Sequence, residues 1–167
     1  MSGRVRARRR FAGSRAALWR RTAWVFLPLV AAACTQGPPP PANLERGEAC
    51  GSCRMAIADT RFAAQLVAPA EEPRYFDDVG CVRDYLAAGA ARPPHRVVYV
   101  ADHRTKAWVR AERAVYAKAD GIETPMGSHL LAFADAASRD ADPAARGGVA
   151  MSAADVFGRS LPEGGNP

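Results

Sequence analysis

The sequence predicts an α+β fold in which two small ββαβ units pack together. Three observations predict it. Short runs rich in Val, Tyr and Trp read as strands, the clearest being Arg96-Val97-Val98-Tyr99-Val100-Ala101. Between such runs lie stretches with helical apolar spacing that open on Asp or Ser, residue types whose side-chain oxygens satisfy free backbone N–H groups at a helix start. The pattern occurs twice, over residues 44–104 and 105–158, and neither half alone is long enough to bury much core.

In the first half, Arg61–Val67 reads as a strand, and Asp77-Asp78 cap a helix with Cys81, Val82, Tyr85 and Leu86 at apolar spacing. Gly89 ends that helix, and Pro93-Pro94 turns the chain into the strand at 96–101. In the second half, Ala107–Arg110 and Ala114–Lys118 read as short strands. Gly127-Ser128 is expected to open a helix with Leu130, Leu131, Phe133 and Ala134 on its apolar face. Val149–Met151 is a weak last strand, and Ser152 caps a terminal helix through Phe157.

The flanks read differently. Eight of the 23 basic residues fall within the first 21 positions, and all 17 acidic residues lie beyond Cys34. A basic chain ordinarily suggests nucleic acid or an anionic surface. Here the excess sits in an Arg-rich leader followed by the short apolar stretch Ala23–Val30, the layout of a secretory signal over residues 1–33. No nucleic-acid partner is therefore expected. Arg8-Arg9-Arg10-Phe11 has a weak likeness to a twin-arginine signal, far from the apolar core.

Ala31-Ala32-Ala33 precedes Cys34, an arrangement resembling a bacterial lipobox, although Ala31 stands where Leu is usual. Cys34 is accordingly read as the lipid attachment site of a periplasmic, membrane-anchored protein. Plain cleavage after Ala33 is the alternative. Thr35 is not the Asp that retains lipoproteins at the inner membrane, which favours the outer one. Residues 34–43 then form a Pro-rich linker, with Pro38–Pro41 expected to stay extended as a stalk, and residues 159–167 read as a disordered tail.

The chemistry centres on Cys50-Gly51-Ser52-Cys53-Arg54-Met55. With Cys34 lipidated, Cys50, Cys53 and Cys81 form an odd set that cannot all be paired in disulfides. A lone CxxC is ambiguous among zinc binding, thiol redox exchange and copper binding. A structural zinc site usually wants a second ligand pair, and none is evident in the sequence. A thioredoxin-like pair usually opens a helix, whereas this one precedes a strand. In an extended segment Cys53 and Met55 would share a face, and a thiolate beside a thioether selects Cu(I) over harder cations.

The bland readings stand beside these: Met55 as core, Cys50 and Cys53 as a simple disulfide, Cys81 as a buried apolar thiol. His95 and His103 flank a strand and read as solvent-facing. Met126 and His129, three residues apart, offer a thioether and an imidazole that could close a site opposite Cys53 and Met55, or simply pack. No acid/base pair, nucleophile triad or phosphate loop is evident, so no enzyme is expected.

Several of these motifs occur in one order: Cys-x-x-Cys-x-Met at 50–55, Phe76-Asp77-Asp78-Val79-Gly80-Cys81, Val98-Tyr99-Val100-Ala101-Asp102, Ala107-Trp108-Val109, Ala114-Val115-Tyr116, and Thr124-Pro125-Met126-Gly127-Ser128-His129 with the apolar run after it. Over about residues 47–157 the chain resembles the NosL family, copper chaperones of nitrous-oxide reductase assembly. The resemblance implies treble-clef-like units and a periplasmic lipoprotein carrying one Cu(I) to nitrous-oxide reductase or its maturation complex. It implies Cys53, Met55 and Met126 as metal ligands, with His129 and Cys50 as further candidates, and leaves open a dimer joined through the metal. Asp77 and Asp78 match the family's Asp pair and are read here as helix caps. Two readings from other classes are a thiol–disulfide oxidoreductase using Cys50 and Cys53, and a structural zinc lipoprotein.

Overall fold

The computed structural model describes residues 37–89 and 93–161. The signal segment, Cys34 with the first linker residues, and the end of the tail lie outside the described residues. The chain is α+β. Strands β1 (Ala64–Val67), β2 (Arg74–Phe76), β3 (Val97–Ala101) and β4 (Trp108–Arg110) form an antiparallel sheet in the order β2-β1-β3-β4. Strands β5 (Val115–Lys118), β6 (Leu130–Phe133) and β7 (Val149–Met151) form a second antiparallel sheet in the order β6-β5-β7. Helix α1 (Val79–Ala87) joins β2 to β3, α2 (Ala136–Ala141) joins β6 towards β7, and α3 (Ala153–Phe157) follows β7.

The two halves therefore share one plan: an antiparallel pair, a helix, and a third strand beside the first. Their helix starts match residue for residue. The strand before each helix ends in Phe, Phe76 or Phe133, and an Asp two positions on caps the helix. Asp78 accepts from the Gly80 N–H at 2.6 Å and Asp135 from the Ser138 N–H at 2.7 Å. Three residues after each cap stand Cys81 and Ser138, and just before the caps stand Asp77 and Ala134. Ser152 caps α3 with a reciprocal capping box to Asp155.

Two expectations about elements are corrected, and one strand is unforeseen. The helix expected from 127 is strand β6, and helix α2 begins only after Asp135. The run Leu130–Phe133 is buried on both faces, so it lacks the alternation that would mark a strand and reads equally well as a helix. Trp108–Arg110 pairs with β3 and so belongs to the first sheet, not to the second unit. Strand β2, only three residues long, has no sequence signal strong enough to reveal it.

The core lies between the sheets. Leu66, Phe76, Val98 and Val100 of the first sheet face Tyr116, Leu130 and Ala132 of the second, with Val82 and Leu86 of α1 and Phe157 of α3 closing the sides. Burying each such aliphatic or aromatic side chain is worth about 1.5–3 kcal/mol. On the far side of the second sheet, Leu131 and Phe133 pack with Phe62. His103 is buried there too, 5.1 Å from the Phe62 ring and 6.2 Å from the Phe133 ring between centroids. The expectation that His103 faces solvent is thus overturned: its Nδ1 lies 2.7 Å from Asp142, also buried, which supplies the polar partner an imidazole needs in a core.

The proline run is not a free stalk. The Pro39 carbonyl accepts from Tyr99 OH, and just after the run Ala42 bonds to Gln65 and the Asn43 carbonyl accepts from Tyr75 OH, all on the outer face of the first sheet. Gln65, completely buried, is satisfied by these bonds. Among the described residues no helix is long and apolar enough to cross a membrane.

Candidate metal centre

The site begins with a tight hairpin. Ile57 N–H donates to Glu48 O at 2.9 Å, Cys50 N–H to Met55 O at 2.8 Å and Arg54 N–H to Cys50 O at 3.0 Å. The reversal places Cys50 and Cys53 at its two corners, with Arg54 in the left-handed region at φ 67°. This turn breaks the alternation on which a shared face for Cys53 and Met55 depends: the segment is not extended. Cys53 is half-buried, whereas Met55 is 57% exposed.

Two anchors hold the hairpin against the first unit. Gly51 N–H donates to Tyr75 O at 2.7 Å, docking the turn on strand β2. The Arg74 side chain passes so close that a Cβ on Gly51 would lie 2.6 Å from its Cγ, and only glycine leaves room for that approach. Arg74 then continues over the Tyr85 ring, 5.2 Å from its centroid.

The start of α1 supplies the opposite side. Asp78 is the cap, but Asp77 is not. Its carboxylate turns inward, accepting from the Cys81 thiol at 3.3 Å and from the Cys53 thiol at 3.6 Å to each oxygen. One ligand atom from each of Cys50, Cys53, Asp77 and Cys81 lies within 4.8 Å of every other. Cys50, Cys81 and Asp77 are buried, so Cys53 is the thiol that meets solvent.

Asp77 and Cys81 are the residues that sequence reasoning misses. Read from the sequence as a cap and as an apolar thiol, they lie where a second pair of ligands to Cys50 and Cys53 would stand. One signal was available: a helix has one N-cap, so of two adjacent Asp residues one is spare, and Asp77 sits four residues before Cys81.

The electrostatics disfavour the thiolate forms of Cys53 and Cys81. Burial pushes Cys53 above its ordinary value and Cys50 and Asp77 add to the rise, while the Met55 backbone opposes it. Burial likewise pushes Cys81 far up, reinforced by its hydrogen bond to Asp77 and by Cys50. A metal that binds here displaces protons, so affinity must rise with pH. Between pH 6 and 8 the apparent affinity for Cu(I) should rise about tenfold per pH unit for each thiol proton lost, a slope read by competition at several pH values.

The other candidates sit around this cluster. The loop bearing Met126 packs on the start of α1: Met126 N–H donates to Asp78 Oδ2 at 3.1 Å, and its side chain is 45% exposed. A Cβ on Gly80 would lie 2.7 Å from Ser128 Cβ, so loop and helix touch. Gly80→Ala should force the 124–128 loop off the helix and cost about 1–3 kcal/mol, measurable by urea denaturation and by narrowing of the Met126 methyl resonance. His129 faces its own loop, with Nδ1 2.8 Å from Ile122 O and φ at 58°. It does not belong to the group of close Cys and Asp ligand atoms.

Three thiols and one carboxylate fit a soft or borderline metal ion. Thiolates suit Cu(I) and zinc, and a donor set this rich in sulfur does not suit hard cations. Fold and site thus define a small α+β protein with a cluster able to hold a metal ion, drawn from a hairpin and a helix start. Residues 41–160 match the NosL family, and the chain belongs to it. This is a copper-binding, chaperone-type family and not an enzyme family; membership and cluster together fit a copper-binding role. No curated protein matches the chain.

Proposed function

We propose that this protein is a periplasmic Cu(I) carrier, lipid-anchored through Cys34, that delivers copper to nitrous-oxide reductase or its maturation complex. The observation that carries the reading is the position of Cys53. It is the accessible thiol of a three-thiol cluster, and the exposed thioether of Met55 lies two residues along the chain. A carrier has to accept and surrender its ion at the surface. Neutral thioethers and one accessible thiolate allow a partner's ligands to replace its own stepwise, while Cys50, Cys81 and Asp77 give the ion a sheltered inner position. Met126 shares the helix-start side of the site and is the candidate that completes the outer ligand set, with His129 as the further one.

The test is anaerobic titration of the reduced mature chain with Cu(I) against a competing chelator. One equivalent should bind with sub-micromolar affinity, and Met55→Ala should weaken binding. Cys50→Ser should matter less than Cys53→Ser. Failure to bind at that affinity overturns the carrier reading. Equal dependence on Cys50 and Cys53 with no effect of Met55 would instead support the thiol–disulfide oxidoreductase.

A second reading has its own support. Three Cys and one Asp are enough ligands for a tetrahedral structural zinc ion, drawn in pairs from a hairpin and a helix start. It predicts that a zinc chelator unfolds the purified protein, whereas a carrier of exchangeable copper stays folded without metal.

A further inference from the structure

Tyr75, Gln65 and Tyr99 lie side by side across β2, β1 and β3: Gln65 is the register partner of both tyrosines. All three point away from the core, whose residues on these strands are Ala64, Leu66, Phe76, Val98 and Val100. Each holds a backbone group of the same passing segment. Tyr99 OH donates to Pro39 O at 2.7 Å, and Tyr75 OH to Asn43 O at 2.5 Å. Gln65 bonds twice to Ala42, accepting its N–H at 2.8 Å and donating to its carbonyl at 3.2 Å. Both tyrosines and Gln65 are buried, so a continuous polar rung is spent on these bonds.

The segment suits the rung for a stereochemical reason. Proline fixes φ, and a residue preceding proline is held out of the helical region, so Pro38–Pro40 are held to the polyproline II region and Pro41 keeps the φ that continues it. That helix repeats every three residues, which turns the carbonyls of Pro39 and Ala42 to one side, and these two are the carbonyls taken by Tyr99 and Gln65. Four steps of about 3.1 Å from Pro39 to Asn43 give roughly 12 Å of segment, close to the roughly 10 Å spanned by three strands. Ala42 is the first residue after the prolines with an N–H to donate, and Gln65 receives it. Trp108, Val67 and Val97 pack around Tyr99 as an apolar flank, the aromatic-lined setting in which proline-rich peptides dock.

We propose that the outer face of the first sheet is a binding site for an extended proline-rich peptide, that residues 39–43 occupy it in cis, and that this ligand is exchangeable. Recognition is through backbone groups and a preset conformation, so the site selects polyproline II geometry and not particular side chains. The inference is independent of the copper reading.

Two measurements on the mature chain test it. The Ala42 amide should exchange at least roughly fivefold more slowly than in a free peptide, and Tyr99→Phe should reduce that protection. A variant carrying Pro39→Gly, Pro40→Gly and Pro41→Gly should release the cis ligand. A blocked synthetic peptide of residues 37–44 should then saturably shift the Gln65 side-chain amide resonance of that variant. The same peptide with glycine at the three positions should not. Adding Tyr99→Phe to the variant should weaken peptide binding roughly three- to tenfold. Free exchange of the native Ala42 amide overturns the proposal. So does an unmoved Gln65 resonance at about 10 mM peptide, beyond the millimolar effective concentration of a tethered ligand. Equal binding of the glycine peptide overturns it as well. Should the triple variant not fold, the single variant Pro39→Gly takes its place with the same peptide titration, and an unmoved Gln65 resonance there overturns the proposal equally.

Discussion

Cys53→Ser should lower the affinity for Cu(I) by at least about a hundredfold, because removal of a group that merely supports a ligand already costs roughly 10–100-fold. The argument rests on place as well as on softness. Cys53 is the one half-buried thiol of the cluster, at a corner of the hairpin, and its Sγ lies 3.6 Å from both Asp77 oxygens. A serine hydroxyl keeps the size and the hydrogen bond but does not ionise near neutral pH, so it offers copper a hard, neutral oxygen in place of a thiolate. The fold should survive, since no backbone bond of the hairpin uses the sulfur. Circular dichroism of the variant should therefore match the parent while the competition titration shows the loss. Unchanged affinity would place the ion elsewhere.

Asp102→Ala should destabilise the protein by about 3 kcal/mol and lower the melting temperature by roughly 10 °C. Asp102 is fully buried where the two units meet. One carboxylate oxygen accepts from Arg104 N–H at 3.0 Å, Thr105 N–H at 2.8 Å and the Thr105 hydroxyl at 2.9 Å, shaping the turn between β3 and β4. The other accepts from Ala134 N–H at 2.7 Å, at the end of β6. Alanine strands these donors together, and the adjacent bond from His103 N–H to Ala132 O at 2.8 Å is left to hold the junction.

The pH dependence of stability follows from the same carboxylate. Burial alone would raise the pKa of Asp102, but the bonds from Ala134, Ser138 and Thr105 outweigh burial and hold it below the ordinary carboxylate value. A depressed native pKa contributes stability above the unfolded value near 3.9 and loses it as pH falls through the native value. Asp142, held down by His103 and Ala144 against the effect of burial, behaves alike. Urea midpoints should thus fall steeply below about pH 4 in the parent. Asp102→Ala should show a shallower acid limb, and a parallel one would remove Asp102 from this account.

Local pattern goes far with this chain and then stops for a definable reason. β3, β5, α1 and α3 are legible because β-branched runs, helical spacing and caps are written in consecutive residues. The CxxC motif is legible for the same reason. Leu130–Phe133 is not, since a strand buried on both faces shows no period. The pairing of Trp108–Arg110 with β3 depends on long-range register, and the burial of His103 on an Asp 39 residues away. The metal cluster fails on the same count: Asp77 and Cys81 acquire their meaning from a hairpin more than twenty residues earlier in the chain. The CxxC-x-Met run itself marks Cys50, Cys53 and Met55, and the resemblance to the family adds Met126, whereas Asp77 and Cys81 read locally as a cap and an apolar thiol.

The matched helix starts provide the molecule with its own control experiment. Asp78 and Asp135 are alike in both halves, whereas the position of Asp77 is taken by Ala134 and that of Cys81 by Ser138 in the second half. Whatever the architecture alone demands should be seen twice, and whatever the metal demands should be seen once. Exchanging the unlike pairs, by Ala134→Asp with Ser138→Cys in one protein and Asp77→Ala with Cys81→Ser in another, separates the two demands within a single chain, with no second protein needed as reference.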